Sequence, residues 1–167
     1  MVDIESEDTD PSAVILSIGA CNIKHPEDCF YLELETATQF GRTKSENTVN
    51  WWNAQVAKGG YKPDGRVEIK SALEQFSAYI KAFNARPIIW CKGTDFDVKI
   101  LADACKMNKV EIPWAYNDVR DFRTLKKLHP QINFPDNPVP HHALQDALYQ
   151  ARCLNTIFAY NDRLQWE

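Results

Sequence analysis

Four acidic residues and one histidine, spread over the length of the chain, place the strongest constraint on its fold. In order they are Asp3, Glu5, Asp97, His141 and Asp146. Hard cations such as Mg²⁺ prefer carboxylate oxygens, so a site for them must gather acids from distant parts of a chain. Two such cations can stabilise both the attacking and the leaving oxygen of a phosphoryl displacement. A fold that brings these residues together would therefore hold a two-metal site.

The first three acids have local contexts that predict their structural elements. Asp3 and Glu5 lie two residues apart, a spacing that puts both side chains on one face of a strand. Asp97 follows an apolar run at 88–91 and a Gly-Thr-Asp turn, and apolar residues then recur at helical spacing. Asp97 therefore lies in the first turn of a predicted helix. Acids are also common there because they complement the helix dipole, so this position alone does not separate a ligand from a capping residue.

The last segment predicts a long amphipathic helix that opens near Pro140 and runs to about residue 160. Asp146 lies among small apolar residues of its inward face. A buried carboxylate needs a partner, and a cation would supply one. Two adjacent histidines stand near the start of this helix, and helical spacing alone would pair His142 with Asp146, one turn away.

Several motifs resemble the DEDDh 3′-5′ exonucleases, the group that includes RNase T and proofreading subunits. They are D-I-E-S at 3–6, W-x-x-G-x-x-F-D-x-x-I-L in the segment 90–101, and H-x-A-L-x-D-A-x-x-Q-A at 141–151. The W-W-x-x-Q element within 48–55 and the stretch 113–124 are similar to a narrower branch, the small bacterial, mycobacterial and phage exonucleases. The resemblance covers essentially the whole chain, in order.

The resemblance implies two divalent ions, Mg²⁺ or Mn²⁺, and a role for each residue of the set. Asp3 would bridge the ions, with Glu5 and Asp146 as further direct ligands. Asp97 would be the fourth acid, acting directly or through water. The family pattern has four residues between its histidine and its last acid, which selects His141 as general base. His142 is then expected to be a solvated neighbour.

Substrate contacts are expected at four further positions. The resemblance suggests that Ser6, next to the D-x-E pair, meets the terminal 3′-hydroxyl. Trp51 and Trp52 are candidates for stacking on a base. Because adjacent helical residues point about 100° apart, we expect one tryptophan buried and one near the site. Arg123 either contacts a phosphate or pairs locally.

The order of elements predicts an α/β fold with a mixed central β-sheet flanked by α-helices, which is the RNase H-like order. We expect one DEDDh exonuclease domain over residues 1–167. Only Met1 and Val2 precede Asp3, so either the strand that carries the D-x-E pair is unusually short or a few native residues before it are absent. A frayed terminus would hold Asp3 and Glu5 poorly. The expected strands lie at 13–23, 30–34 and 87–91, with a short strand or loop at 115–120, and the expected helices at 47–57, 68–83, 95–107, 121–128 and 140–160.

Composition and charge limit the kinds of protein that this chain can be. The chain of 167 residues has a net charge of −4, which argues against a protein that coats long duplexes but suits an exonuclease that grips a few terminal nucleotides. Its five cysteines form no C-x-x-C pair, which suits reduced thiols in a cytoplasmic protein. No apolar run is long enough to span a membrane and no signal peptide is expected. The sequence does not distinguish a monomer from a homodimer.

These observations predict a metal-dependent 3′-5′ exonuclease that acts on single-stranded or overhanging DNA or RNA and releases nucleoside 5′-monophosphates. Two alternatives remain. One is an oligonucleotide-clearing hydrolase with very short substrates, which a compact acidic chain would suit. The other is a non-catalytic nucleic-acid-binding module, which the short first strand favours and the complete catalytic set opposes.

Overall fold

A computed structural model describes residues 1–83 and 86–161 of the chain. Its strands and helices alternate in the order expected of a mixed α/β protein. Residues 84–85 and 162–167 of the predicted 1–167 domain lie outside the described residues. The strands are β1 (Val2–Ser6), β2 (Ile15–Cys21), β3 (Cys29–Glu33), β4 (Ile89–Cys91) and β5 (Val119–Asp121), and the α-helices are α1 (Glu46–Ala57), α2 (Ile69–Phe83), α3 (Asp97–Met107), α4 (Phe122–Lys127) and α5 (Ala143–Tyr160).

The first three strands form an antiparallel sheet in the order β1-β2-β3. Asp3 lies opposite Gly19 of β2, and Gly19 lies opposite Tyr31 of β3. The next row on the same face runs from Glu5 across β2 to Glu33. The three antiparallel strands predicted from the sequence are thus confirmed.

The other two strands, β4 and β5, pair in parallel. A parallel pair needs a long crossover connection, and the segment that contains α3 supplies it. β4 lies alongside β1, and α5 packs against both β1 and β2. The structure is mixed α/β as predicted, but its strands form a three-stranded antiparallel sheet and a two-stranded parallel sheet rather than one mixed central sheet.

Gly19 allows α5 to approach the sheet closely. A Cβ atom at this position would lie 2.3 Å from the backbone carbon of Ala143 and from the backbone nitrogen of Leu144. The first turn of α5 therefore rests on the middle strand, between Asp3 on one side and Tyr31 on the other. A side chain at position 19 would push the start of α5 away from β1.

The first strand is held more firmly than expected. Met1 is buried, and its α-amino group donates a hydrogen bond of 2.8 Å to the carbonyl oxygen of Cys21. Val2 and Ile4 belong to the main core. β2 and the core therefore fix the first residue of this strand, although only two residues precede Asp3.

Two helices begin two or three residues later than predicted. α3 begins at Asp97 rather than at residue 95, since Phe96 has non-helical dihedral angles. α5 begins at Ala143 rather than near Pro140, because His141 has a positive φ of 64° and His142 is an extended N-cap residue. The prediction that Pro140 opens this helix was wrong: the proline lies in the preceding loop.

The cysteines agree with the expectation of buried, reduced thiols at most positions. All five are free, and four of them are buried, whereas Cys29 is exposed. Among the helices of residues 1–83 and 86–161, none combines the length and the hydropathy needed to cross a membrane.

Candidate active site

Three carboxylates converge where β1 meets the first turns of α5. Asp3 and Glu5 project from one face of β1, as their spacing predicts, and Asp146 lies across from them on α5. One carboxylate oxygen from each residue lies within 4.8 Å of the others. The structure therefore brings together acids that are more than 140 residues apart in sequence.

Asp97 approaches the same cluster from the opposite edge of β1. The residue is 2% exposed, and its Oδ1 accepts a hydrogen bond of 3.1 Å from the backbone N–H of Ile4. Ile4 lies between Asp3 and Glu5, so this bond ties the first turn of α3 to the D-x-E strand. Asp97 stands beside Asp3 but outside the group of three oxygens.

Burial and mutual repulsion raise the pKa values of the acids on and beside β1. Burial is the main cause for Asp3, and the charges of Asp97, Glu5 and Asp146 add to it, so its pKa lies well above the usual range. Burial, with the charges of Asp146 and Asp97, raises the pKa of Glu5 to about 8. Burial raises the pKa of Asp97 to about 7, although the Ile4 N–H and the charges of Arg123 and Lys92 favour its ionised form.

Such a cluster is unfavourable for the protein alone and favourable for a cation. Buried carboxylates repel each other, and a divalent ion between them would neutralise their charge and replace lost hydration. Three converging oxygens of Asp3, Glu5 and Asp146 match the all-oxygen donor set that Mg²⁺ and Mn²⁺ prefer. The residues present therefore fit a divalent metal.

Side chains that sequence reasoning missed orient two of the carboxylates. The amide nitrogen of Gln150 donates to Asp3 Oδ1 at 2.8 Å, and that of Asn137 donates to Asp146 Oδ1 at 2.8 Å. Gln150 is buried one helical turn after Asp146, a spacing that the sequence offered as a signal. Asn137 lies in a loop, where no periodicity identifies it.

His141 lies at the mouth of the site. Its ring makes an edge contact with Trp51, at a centroid distance of 4.7 Å, and the residue is exposed. The positive φ at His141 turns the chain just before α5 begins. An exposed imidazole on this turn is free to exchange a proton with a bound substrate or water.

His142 is not the solvated neighbour that the sequence predicted. Its ring stacks on Tyr31, at a centroid distance of 4.5 Å, and on Tyr61, at 5.8 Å. Its Nδ1 atom is buried and has no hydrogen-bond partner among the described residues. The prediction failed because both tyrosines come from distant segments, so helical position alone did not show that the ring would be covered.

The tryptophan pair behaves as expected. Trp52 is buried, and its indole N–H donates to the carbonyl oxygen of Ser6 at 2.8 Å. Trp51 is partly exposed and faces His141. One tryptophan therefore supports the end of β1, while the other offers a ring at the mouth of the site.

The side chains of Ser6 and Arg123 both donate hydrogen bonds to backbone carbonyl oxygens. The Ser6 hydroxyl donates to the carbonyl oxygen of Asp8 at 2.6 Å. The Arg123 guanidinium donates to the carbonyl oxygen of Lys92 at 2.9 Å and packs over Gly93. The positive charge of Arg123 also favours the ionised form of Asp97 and so partly opposes the rise in its pKa, which shows that Arg123 lies close to the acids. Substrate contacts by Ser6 and Arg123 stay predictions.

The raised pKa values predict how the metal-free protein responds to pH. Glu5, with a pKa of about 8, and Asp97, with a pKa of about 7, hold protons in the folded state that unfolded carboxyls release near pH 4. The folded state therefore binds more protons between about pH 4 and pH 8, and the free energy of unfolding falls as pH rises through this window. Melting temperatures measured in EDTA should fall from pH 5 to pH 8.

The matched control for this prediction is Glu5→Gln, which removes one of the raised groups. Its melting temperature should depend less on pH than that of the native chain. An equal slope in both proteins would show that the acidic cluster does not set the pH dependence.

Comparison with models of protein families gives a match. A family model described as the 3′-5′ exoribonuclease Rv2179c-like domain matches residues 1–158. This match includes all four acids and both histidines of the site. Comparison with curated proteins gave no match.

Proposed function

The chain belongs to the 3′-5′ exoribonuclease Rv2179c-like domain family, and from this membership we propose that it degrades RNA from the 3′ end at the acidic cluster on β1. The protein is a 3′-5′ exonuclease, and its substrate is nucleic acid. The observation that carries the proposed site is the convergence of Asp3, Glu5 and Asp146. The finer proposal is a DEDDh enzyme whose single domain spans residues 1–167.

In this proposal Asp3, Glu5, Asp97 and Asp146 hold two divalent ions, Mg²⁺ or Mn²⁺. When bound, the ions would supply electrostatic stabilisation to the oxygens that attack and leave the scissile phosphorus. Asp3 is the residue best placed to serve both ions, because it lies beside Asp97 on one side and within the oxygen group of Glu5 and Asp146 on the other. Gln150 and Asn137 hold their carboxylates in a fixed orientation.

His141 is the general base of the proposed reaction. The neutral imidazole accepts a proton from the water that attacks the phosphorus, and the products are a nucleoside 5′-monophosphate and a strand one nucleotide shorter. The exposure of His141 and its place on the turn before α5 support this role. His142 is unsuited to it, since its Nδ1 is buried and its ring stacks with two tyrosines.

The fold that we propose is RNase H-like. Three observations support it: an antiparallel β1-β2-β3 sheet, a parallel β4-β5 pair with β4 alongside β1, and a last helix packed on β1 and β2. In this arrangement the acids of β1, α3 and α5 meet around the strand that carries the D-x-E pair.

Single-stranded RNA is the substrate that we propose. The half-exposed ring of Trp51 next to His141 is suited to stack on a terminal base, with Ser6 and Arg123 as further contacts. A net charge of −4 suits a small footprint on the strand. The short first strand favoured a non-catalytic module, and the burial of Met1 removes that argument.

Strand polarity gives a direct test of the proposed function. A nuclease that seats the terminal 3′-hydroxyl beside Asp3 and Glu5 should be blocked by a 3′-phosphate on RNA, because the larger phosphate group would replace the hydroxyl that the site must seat. A 5′-phosphate should have no effect on the initial rate. Equal degradation of the 3′-phosphorylated and 3′-hydroxyl strands would contradict the proposal.

A further inference from the structure

Two tyrosines from separate segments stack with the ring of His142. Tyr31, on β3, stacks on one side with an interplanar angle of 26°, and Tyr61 stacks with an angle of 24°. Tyr61 belongs to the loop between α1 and α2 and is 50% exposed. The buried Nδ1 of His142 makes no hydrogen bond within the described residues, so the ring is held by stacking.

Glu33 fastens this stack to the sheet. The hydroxyls of Tyr31 and Tyr61 both donate to Glu33 Oε1, and the backbone N–H of Asp64 donates to Glu33 Oε2 at 3.2 Å. The loop also lies directly on β3, because a Cβ atom at Gly65 would be 2.0 Å from the Glu33 carbonyl carbon. Tyr61 is thus joined to the rigid β-sheet.

The backbone of His142 connects the stack to the catalytic residues. Its N–H donates to Asp146 Oδ2 at 3.1 Å, and its carbonyl oxygen accepts from the Asp146 N–H at 2.9 Å. His141, the preceding residue, has a positive φ, which non-glycine residues rarely adopt. The conformation of His141 therefore depends on how firmly the next residue is fixed.

We propose that His142 is a positioning residue, and that Tyr31 and Tyr61 clamp its ring so that His141 and the Asp146 carboxylate are held in their reactive arrangement. The inference rests on the proposed function. His142 takes no part in proton transfer. Stacking of its ring fixes the turn between the preceding loop and α5. Its backbone then holds His141 through the peptide bond and Asp146 through hydrogen bonds.

Tyr61 gives the cleanest test, because it is half-exposed and outside the core. Tyr61→Ala removes the outer ring of the clamp, whereas Tyr61→Phe keeps the ring and removes only the hydroxyl bond to Glu33. Tyr116→Ala is the matched control, since Tyr116 is 94% exposed. The variants would be compared by kcat and KM on single-stranded RNA with Mg²⁺, and by melting temperature.

We expect Tyr61→Ala to lower kcat by about 10- to 100-fold with KM unchanged, because a small misplacement of a catalytic group is enough for a loss of this size. Tyr61→Phe should retain most of the native kcat, and Tyr116→Ala should match the native chain. An unchanged kcat in Tyr61→Ala would overturn the inference. A raised KM with unchanged kcat would also overturn it, since Tyr61 would then contact substrate.

A second measurement needs neither metal nor turnover. In NMR spectra of the metal-free protein, the ring protons of His141 should be shifted by the ring current of Trp51, 4.7 Å away. Tyr61→Ala should reduce this shift or broaden the signals, and Tyr61→Phe should preserve them. Identical His141 signals in Tyr61→Ala and the native chain would overturn the clamp. Native protein that is inactive on RNA would instead overturn the proposed function, and the spectra would still decide the clamp.

Discussion

Replacing Asp3 with asparagine is expected to lower kcat by about 10³-fold, because electrostatic stabilisation by bound cations contributes several kcal/mol to the transition state. Asparagine has the size of aspartate, and its Oδ1 can still accept the hydrogen bond from Gln150. The fold should therefore survive. In EDTA at pH 8 the variant should melt at a higher temperature than the native chain, since it lacks one of several mutually repelling buried carboxylates.

Metal-induced stabilisation separates this explanation from simple damage to the site. Mn²⁺ should raise the melting temperature of the native chain, because an ion that binds only the folded state stabilises it. The shift should be small or absent in Asp3→Asn. Asp136→Asn, which removes an exposed carboxylate, is the control and should shift like the native chain. Equal shifts in Asp3→Asn and the native chain would contradict metal binding at this cluster.

Replacing His141 with alanine is expected to lower kcat by about 10²- to 10⁴-fold, the range typical of a general base. The acids lie on β1, α3 and α5 and do not depend on the His141 side chain, so Mn²⁺ should still raise the melting temperature of this variant. Substrate affinity should survive while turnover falls, which is the signature of a group that acts mainly in the transition state. Single-turnover rates and binding to a 3′-hydroxyl RNA would measure the two effects.

Two other histidines serve as comparisons for His141→Ala. His25→Ala removes an exposed ring next to Glu27 and should leave kcat unchanged. His142→Ala should lower kcat by less than His141→Ala, because His142 acts only through the position of its neighbours. A greater loss in His142→Ala than in His141→Ala would show that the roles of the two histidines have been assigned in the wrong order.

Sequence patterns predicted the elements whose structure depends on local periodicity. The apolar run before Cys21 and the alternation at 30–34 were enough for the β2-β3 hairpin, because side chains in a strand alternate between faces. The same holds for the convergence of Asp3 and Glu5 on one face. The resemblance to known exonucleases added Asp97 and Asp146, which no local pattern could connect to β1.

Features that depend on contacts between distant segments could not be predicted in this way. His142 was expected in solvent, and its ring stacks with Tyr31 and Tyr61 because β3 and the loop after α1 meet near the start of α5. The short start of β1 put in doubt how firmly Asp3 and Glu5 are held, and the strand is anchored because Cys21 accepts a hydrogen bond from the α-amino group.

The most direct test of the account follows the degradation of a 5′-end-labelled single-stranded RNA over time, with Mg²⁺ or with EDTA. We expect the native chain to shorten the strand one nucleotide at a time from the 3′ end, and nucleoside 5′-monophosphates to appear from the first time point. EDTA should abolish both the shortening and the release of monophosphates, and Asp3→Asn should slow both by about 10³-fold. Cleavage of a circular RNA by the native chain, or undiminished shortening by Asp3→Asn, would contradict a 3′-5′ exonuclease centred on the acidic cluster.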